Sequence, residues 1–487
     1  MKARFARTRL VGLAVASPLA ALGLVIGAGP ALANVTATQI SSDPFTNSTS
    51  QHATEVEPDI VAVGSTIVAA VQQGRFFNGG ASDIGFATST DGGSTWTSGS
   101  LPGLTSLYQG GTYDRVSDPA VAYNADFSTW LISGLAITSS SGVVGKAVTV
   151  NRSTDGGLTW GNAVNVSVGS GSAFFDKEWI TCDNTSTSTH YGNCYVEYDN
   201  NGSGNKIYMT KSSDGGQTWS TPVLTSATGL GGQPLVQPGG TVVVPYESNS
   251  GAIRSFESTN GGSTWSSPTT IATIQEHSNS GGLRTSALPS AAMDSSGKIY
   301  VAWQDCRFQA SCAGNDIVMS TSTNGTTWSS VSRITSDGGD HFIPGIGIDP
   351  TTSGSTAKIG VAYYYYPTSN CTASTCQLDV GLVSSTNGGS TWSSPTQLAG
   401  PMTLSWLAST NQGVMVGDYM AIAVVGGVAW PTMVIASAPT GSTFNEALYV
   451  PTGGLSITGG ALSSVATPVV TSGHRPNANS KASWRAN

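Results

Sequence analysis

A short phrase that recurs six times limits the folds open to this chain more than any other feature. The first copy reads Ser89-Thr90-Asp91-Gly92-Gly93-Ser94-Thr95-Trp96, and further copies run 153–160, 212–219, 258–265 and 385–392. A copy at 322–328 is one residue short. The third position is Asp91, Asp155 and Asp214 in the first three copies, then Asn260, Asn324 and Asn387. Successive Trp residues lie 64, 59, 46, 63 and 64 positions apart. Strand-like runs at such a period predict the blades of a β-propeller.

The phrase is a turn before it is anything else. Asp or Asn accepts hydrogen bonds from nearby backbone N–H groups. Glycine supplies positive φ without a steric penalty. The Trp ring is expected to fold back against the next strand. Nothing in the phrase is a nucleophile or a metal ligand. A carboxylate needed for chemistry would not be exchanged for an amide in half the copies, so the role read here is structural.

Each copy follows one strand-like run and precedes another. Two further runs come before that pair, as in 59–63 and 66–71 around the first copy. Four antiparallel strands with tight turns make one blade. The opening pair returns near 119–135, 178–198, 234–246, 290–303, 344–363 and 418–430, the last without the Trp phrase. The run 35–40 offers a missing outer strand that would close the ring and remove open sheet edges. The expected fold is therefore all-β, a seven-bladed propeller of four-stranded antiparallel blades, with six blades as the alternative.

Lys2, Arg4, Arg7 and Arg9 precede an apolar run, and Ala31-Leu32-Ala33 offers small residues for cleavage. Residues 1–33 are read as a secretory signal peptide, 34–455 as the propeller and 456–487 as a C-terminal extension with a disordered tail. Cleavage would take the net charge from −8 to −12. An acidic chain with 10 % charged residues has no footprint for nucleic acid or anionic lipid. No membrane association is expected after cleavage. The six cysteines pair most simply as neighbours: Cys182 with Cys194, Cys306 with Cys312, Cys371 with Cys376. No metal spacing, phosphate loop or nucleotide fingerprint is present, so no cofactor is expected.

The alternation of strand direction sorts polar residues between two faces. The starts of first strands and the ends of second strands share the face opposite the Trp turns. First-strand starts carry Glu57, Asp59, Arg115, Asp118, Asp176, Lys177, Glu178, Gln233, Arg284, Asp340, His341, Asp418 and Tyr419. Second-strand ends carry Arg75, Glu197, Tyr246, Glu247, Asp305, Arg307 and the run Tyr364 to Tyr366. Only seven Arg lie between residues 34 and 466, and Arg75, Arg115, Arg284 and Arg307 all fall on this face. Such clustering predicts a central polar pocket for an anionic ligand. The rival reading is Arg–Asp pairing that ties blades together, with Asp305-Cys306-Arg307 as one such clamp. The four tyrosines 363–366 alternate sides, so half are expected in the core and half exposed for stacking on sugars.

The six phrases resemble the Asp-box (BNR) repeats of the sialidase superfamily over roughly residues 56–450. The stretch Gly232 to Tyr246 is similar to an inner-strand segment of those proteins. The resemblance implies a six-bladed propeller that acts on sialosides with three arginines, a Tyr nucleophile assisted by Glu, and an Asp acid/base. Carried to this chain, it implies Tyr419 or Tyr246 as nucleophile, Glu178 or Glu247 as its base and Asp83 as acid/base. Arg75, Arg115, Arg284, Arg307 and Asp305 would hold substrate. Where the family opens on Arg-Ile-Pro, this chain reads Glu57-Pro58-Asp59-Ile60, so the arginine clamp is non-standard. The functional expectation is a secreted protein that acts on or binds extracellular glycans or polysaccharide. An exo-α-sialidase-type hydrolase and a non-catalytic protein scaffold are the alternatives. The oligomeric state stays open.

Overall fold

The computed structural model describes residues 32–33, 35–140, 142–460 and 462–463. The expected signal peptide, but for Leu32–Ala33, and the tail beyond Ser463 lie outside them. The described residues contain strands and five short 3-10 turns, with no α-helix.

The strands follow one another in antiparallel groups. The first group is Glu55–Val63, Thr66–Arg75, Ala81–Ser89 and Thr97–Ser100, and the second begins at Arg115–Asn124. The third begins at Phe175–Cys182, the fourth at Leu235–Val236, the fifth at Ser290–Met293 and the sixth at Asp340–Ile348. The last group is Ile422–Val425, the broken strand Val428–Pro431 and Met433–Ala436, then Glu446–Pro451. Its outer edge is covered by Ala37–Gln39 from the other end of the chain, in register Ala37 with Pro451. That is the pairing expected of the run 35–40. The described start of the C-terminal extension is also paired: Leu455–Ser456 with Val428 and Ala429, and Leu462–Ser463 with Trp392 and Thr391.

Strands such as Ala81–Ser89 are buried along their whole length, because both faces of each sheet are covered. The apolar side chains fall into clusters that each straddle two consecutive groups. Val68, Ile84, Val121 and Ile132 join the first to the second. Phe342, Leu382, Ile422 and Met433 join the sixth to the last. Ile40, Ile60, Ile67, Trp430 and Leu448 join the last to the first. Each buried aliphatic side chain contributes about 1.5–3 kcal/mol, so the seams dominate the stability. The first strands pack against one another in order, and the first strand of the last group packs against that of the first.

The Trp turns cement these seams. In the second copy Ser153 Oγ donates to Asp155 Oδ1 at 2.8 Å, and the amides of Leu158 and Thr159 donate to the same oxygen. Thr159 Oγ1 donates to Asp155 Oδ2 at 2.5 Å. In two of the three Asn copies the direction reverses: Asn260 Nδ2 donates to Thr264 Oγ1 at 2.8 Å, and Asn387 Nδ2 to Thr391 Oγ1 at 2.9 Å. A hydroxyl is donor and acceptor, which is why the two residues interchange. The glycine carbonyl of the turn reaches the preceding group: Thr88 Oγ1 donates to Gly157 O, Lys211 Nζ to Gly261 O and Ser255 Oγ to Gly325 O. The Trp rings turn to the preceding group as well, Trp96 against Trp430 and Trp160 against Phe86. The sequence pattern by itself points them to the following strand instead. All three expected disulfides form.

Candidate functional site

Four first strands share a defect near their start. Pairing skips residues 57–58, 118–119, 177–178 and 343–344. At each skip one non-glycine residue has positive φ: Glu57 57°, Asp118 49°, Lys177 49° and Ile343 52°. A left-handed L-residue costs roughly 1–2 kcal/mol, and bulges of this kind re-aim side chains. Here three of the four are ionisable, and all three meet.

Lys177 Nζ lies 2.5 Å from Asp418 Oδ2, 3.3 Å from Asp118 Oδ1 and 3.5 Å from Glu57 Oε1. Arg284 Nη2 bonds the same Asp418 Oδ2. Gln72 links Arg75 to the cluster. Its Oε1 accepts from Arg75 Nη1 at 2.8 Å, and its Nε2 donates to Glu57 and, at 3.0 Å, to Ser117 Oγ. Every one of these side chains is buried.

Burial and charge set the protonation states. Burial alone would raise Asp418, but Arg284 and Lys177 hold it well below the usual carboxylate range. Burial would lower Lys177, yet Asp118, Asp418 and Glu57 keep it well above its ordinary value. Glu57 is pushed up to about 8, by burial first, opposed by Lys177 and assisted by Asp118 and Asp418. Glu178 is raised by burial and then by Asp118. Arg75 is lowered to about 10 by burial and by Arg284.

Tyr419 sits beside this cluster. Its ring packs edge-on against Trp179 at 5.2 Å, and its hydroxyl donates to Pro119 O at 2.9 Å. Burial, Glu57 and Asp118 raise it well above an ordinary phenol. A hydroxyl so engaged is a poor nucleophile. A void of about 20 Å³ lies between Lys177, Glu178, Trp179, Leu288 and Tyr419.

The other sequence candidates lie elsewhere. Tyr246 is in the seam between the third and fourth groups, 5.6 Å from Phe256. Glu247 neighbours Glu276, whose carboxyl is raised to about 8 by burial and by Glu247. Asp83 is buried, accepting from Ile84 N at 2.8 Å and Thr105 Oγ1 at 3.1 Å. Arg115 donates to Asn78 Oδ1 and Gly79 O and lies over the Phe76 ring. Arg307 and Asp305 hold each other within one loop, Nε to Oδ1 and Nη2 to Oδ2 both at 2.8 Å, and Arg307 Nη2 also donates to Thr273 O of the preceding group at 2.6 Å. Tyr363, Tyr364 and Tyr366 are buried and Tyr365 is half-buried, so the expected half-exposed ladder does not form. Both faces of that strand are covered by adjacent groups.

Two further spaces lie along the first strands, away from the ionic cluster. A space of about 260 Å³ on the axis is lined by residues from all the first strands, Ile60, Val121, Ile180, Leu235, Ala291, Ile346 and Ile422 among them. It runs toward a space of about 520 Å³ bordered by Asn184, Pro238, Ser295 and Pro350, on the side of the Trp turns. The ionic cluster closes the opposite end. Burial of these charges is costly, and it is offset by their pairing with one another.

Sequence reading missed Gln72 and a polar group made by Glu276, His277, Asn279, Gln304 and Asn315. The bulges did leave a signal. Glu57-Pro58, Asp118-Pro119 and Ile343-Pro344 repeat a proline at equivalent places. Among the described residues no three His, Cys, Asp or Glu side chains are placed to hold a metal ion, and no helix is long and apolar enough to cross a membrane.

No family model matches the sequence, and no curated protein matches it. Similar solved structures include a protein of unknown function from Dyadobacter fermentans, at 16 % identity and TM-score 0.45, covering 71 % of this chain and 98 % of that one. A leech intramolecular trans-sialidase is similar at 14 % identity and TM-score 0.45, covering 67 % of each chain. The NanB sialidase of Streptococcus pneumoniae is similar at 14 % identity and TM-score 0.42, covering 85 % of this chain and 70 % of that one. Sialidases thus stand among the structures this chain is similar to, and no activity is carried over from likeness at that level.

Proposed function

We propose that this chain is a secreted, seven-bladed, sialidase-like β-propeller that binds extracellular glycans carrying acidic groups at its axis. The observation behind this reading is convergence. Glu57 and Arg75 from the first group, Asp118 from the second, Lys177 from the third, Arg284 from the entry to the fifth and Asp418 from the entry to the last meet in one cluster. Few ionisable residues are present in the chain, and left-handed backbone brings three of them there. The order of the seams and the pairing of 37–39 support seven blades. Three disulfides support an oxidising destination.

Binding is favoured over hydrolysis by the state of Tyr419, whose proton is held by a backbone carbonyl and whose ionisation is opposed by burial and nearby carboxylates. A panel of chromogenic glycosides, sialosides included, run beside an array of immobilised glycans tests the reading. Saturable binding of acidic glycans without turnover, weakened at least tenfold in Arg284→Ala, is expected. Turnover that disappears in Tyr419→Phe would make the protein a hydrolase, and neither binding nor turnover would sink the glycan reading.

A further inference from the structure

Five Asn-Gly pairs occur in this chain, with Asn at 78, 201, 260, 324 and 387. Such a pair is chemically labile, because glycine has no side chain to hinder its own backbone nitrogen from closing on the Asn Cγ. Four of the five are held out of that reaction. Asn260 Oδ1 accepts from Ser258 Oγ, Ser263 N and Thr264 N at 3.0, 3.1 and 2.9 Å, which fixes the amide on residues three and four further along. Asn324 and Asn387 are fixed in the same way. The nitrogens that would attack them are also engaged: Gly325 N donates to Ser322 Oγ at 2.9 Å and Gly388 N to Ala357 O at 3.1 Å. Asn201 opens a 3-10 turn, and Gly202 is pressed so close to Ser172 that a Cβ would lie 2.0 Å from its carbonyl oxygen. The backbone there has no room to rotate into a ring.

Asn78 differs in each respect. It is exposed, in the turn between Thr66–Arg75 and Ala81–Ser89. Gly79 and Gly80 follow it with φ 119° and 72°. Gly79 N makes a long bond, 3.3 Å to Phe76 O. Asn78 Oδ1 accepts from Arg115 Nη1 at 2.6 Å, and the same Nη1 donates to Gly79 O at 2.8 Å. The guanidinium lies 4.0 Å from the centre of the Phe76 ring, which supports it from behind. One cation thus grips both the amide to be attacked and the residue that attacks it.

We propose that Asn78 is a site of self-modification, in which Gly79 N closes on Asn78 Cγ and Arg115 stabilises the oxyanion that forms on Oδ1. The glycine nitrogen gives up its proton, the bond from Cγ to Nδ2 breaks, and ammonia leaves with that proton. The product is a five-membered imide, which one water opens to aspartate or isoaspartate. No electrons are gained or lost. A donor already aimed at a developing oxyanion accelerates acyl transfer, and here the acyl group and the nucleophile are both the chain's own. An aspartate at 78 would face Arg115 as a charge-assisted pair. An isoaspartate would lengthen a turn whose Phe77 O accepts from Asn411 N at 2.9 Å, at the tip of the hairpin Ala408–Thr410 with Gly413–Met415. None of this rests on the glycan reading.

The test is peptide mapping by mass spectrometry on the full-length protein held at mildly alkaline pH, with isoaspartate scored by enzymatic methylation. Residue 78 is expected to convert at least about tenfold faster than 201, 260, 324 and 387, a barrier difference of about 1.4 kcal/mol. The same chain unfolded in guanidinium chloride is the reference. There the four other sites are expected to speed up and residue 78 to slow. Conversion at 78 no faster than at the other four, or faster in the unfolded chain than in the folded one, overturns the proposal. Arg115→Ala is expected to slow residue 78 alone, by at least about tenfold; an unchanged rate removes the guanidinium from the reaction. Should Arg115→Ala fail to fold, the folded and unfolded rates of the parent decide.

Discussion

Asp155 and Asn260 do the same work with opposite hydrogen-bond polarity, and the Thr four residues on accommodates both. Asp155→Asn should therefore leave the melting temperature nearly unchanged. Asp155→Ala removes the acceptor for Ser153, Leu158 and Thr159 and is expected to cost about 1–2 kcal/mol, as loss of a capping side chain does. Thermal melts of the two variants side by side check this, and a larger loss in the Asn variant would refute it. The Asp copies add an acid sensitivity that the Asn copies lack. Asp155 is held at about 2 by Thr159 and Ser153 in spite of partial burial, and Asp91 at about 2 by Thr95 and Ser89. Their contribution is complete above the ordinary carboxylate value and is lost as pH falls through about 2.

At the scale of elements, the seam between the last and first groups depends on a strand from the far end of the chain. Ile40 is buried there beside Ile60, Leu448 and Val450. Ile40→Ala is expected to destabilise by about 2–4 kcal/mol, read as a fall in the denaturation midpoint. Gly93 meets the same seam from the other side, where a Cβ would run into the Trp430 ring at φ 83°. Gly93→Ala is expected to lower Tm more than Gly92→Ala, whose Cβ would meet open space. Equal effects would mean that backbone strain, and not the seam, sets the cost.

For the whole molecule, buried carboxyls make stability depend on pH in the direction opposite to that of the Trp turns. Glu57 and Glu276 are each raised to about 8, burial being the main cause. The folded chain keeps protons that the unfolded chain releases near its ordinary value of 4.5. Stability from these groups therefore falls as pH rises from about 4.5 to about 8. Melts between pH 5 and 8 should show a decline that Glu276→Gln makes shallower, since the amide cannot ionise. A decline equally steep in that variant would remove Glu276 as a source.

What the residues determined alone was everything local or repetitive: the turns, the antiparallel groups, the neighbour disulfides and the pairing of 35–40. Each follows from short-range hydrogen bonding or alternation, which a linear pattern records. The face carrying Glu57, Lys177 and Asp418 was also legible, because strand direction fixes it. Whether those charges open to solvent was not. That depended on bulges at Glu57, Asp118 and Lys177 and on the hairpin at 408–415, which bring groups hundreds of residues apart within bonding distance. Arg307 found Asp305 and Arg115 found Asn78, while Arg284 found Asp418. The choice among such partners is made by long-range packing and the cost of leaving a charge unpaired, and only the tertiary structure decides it.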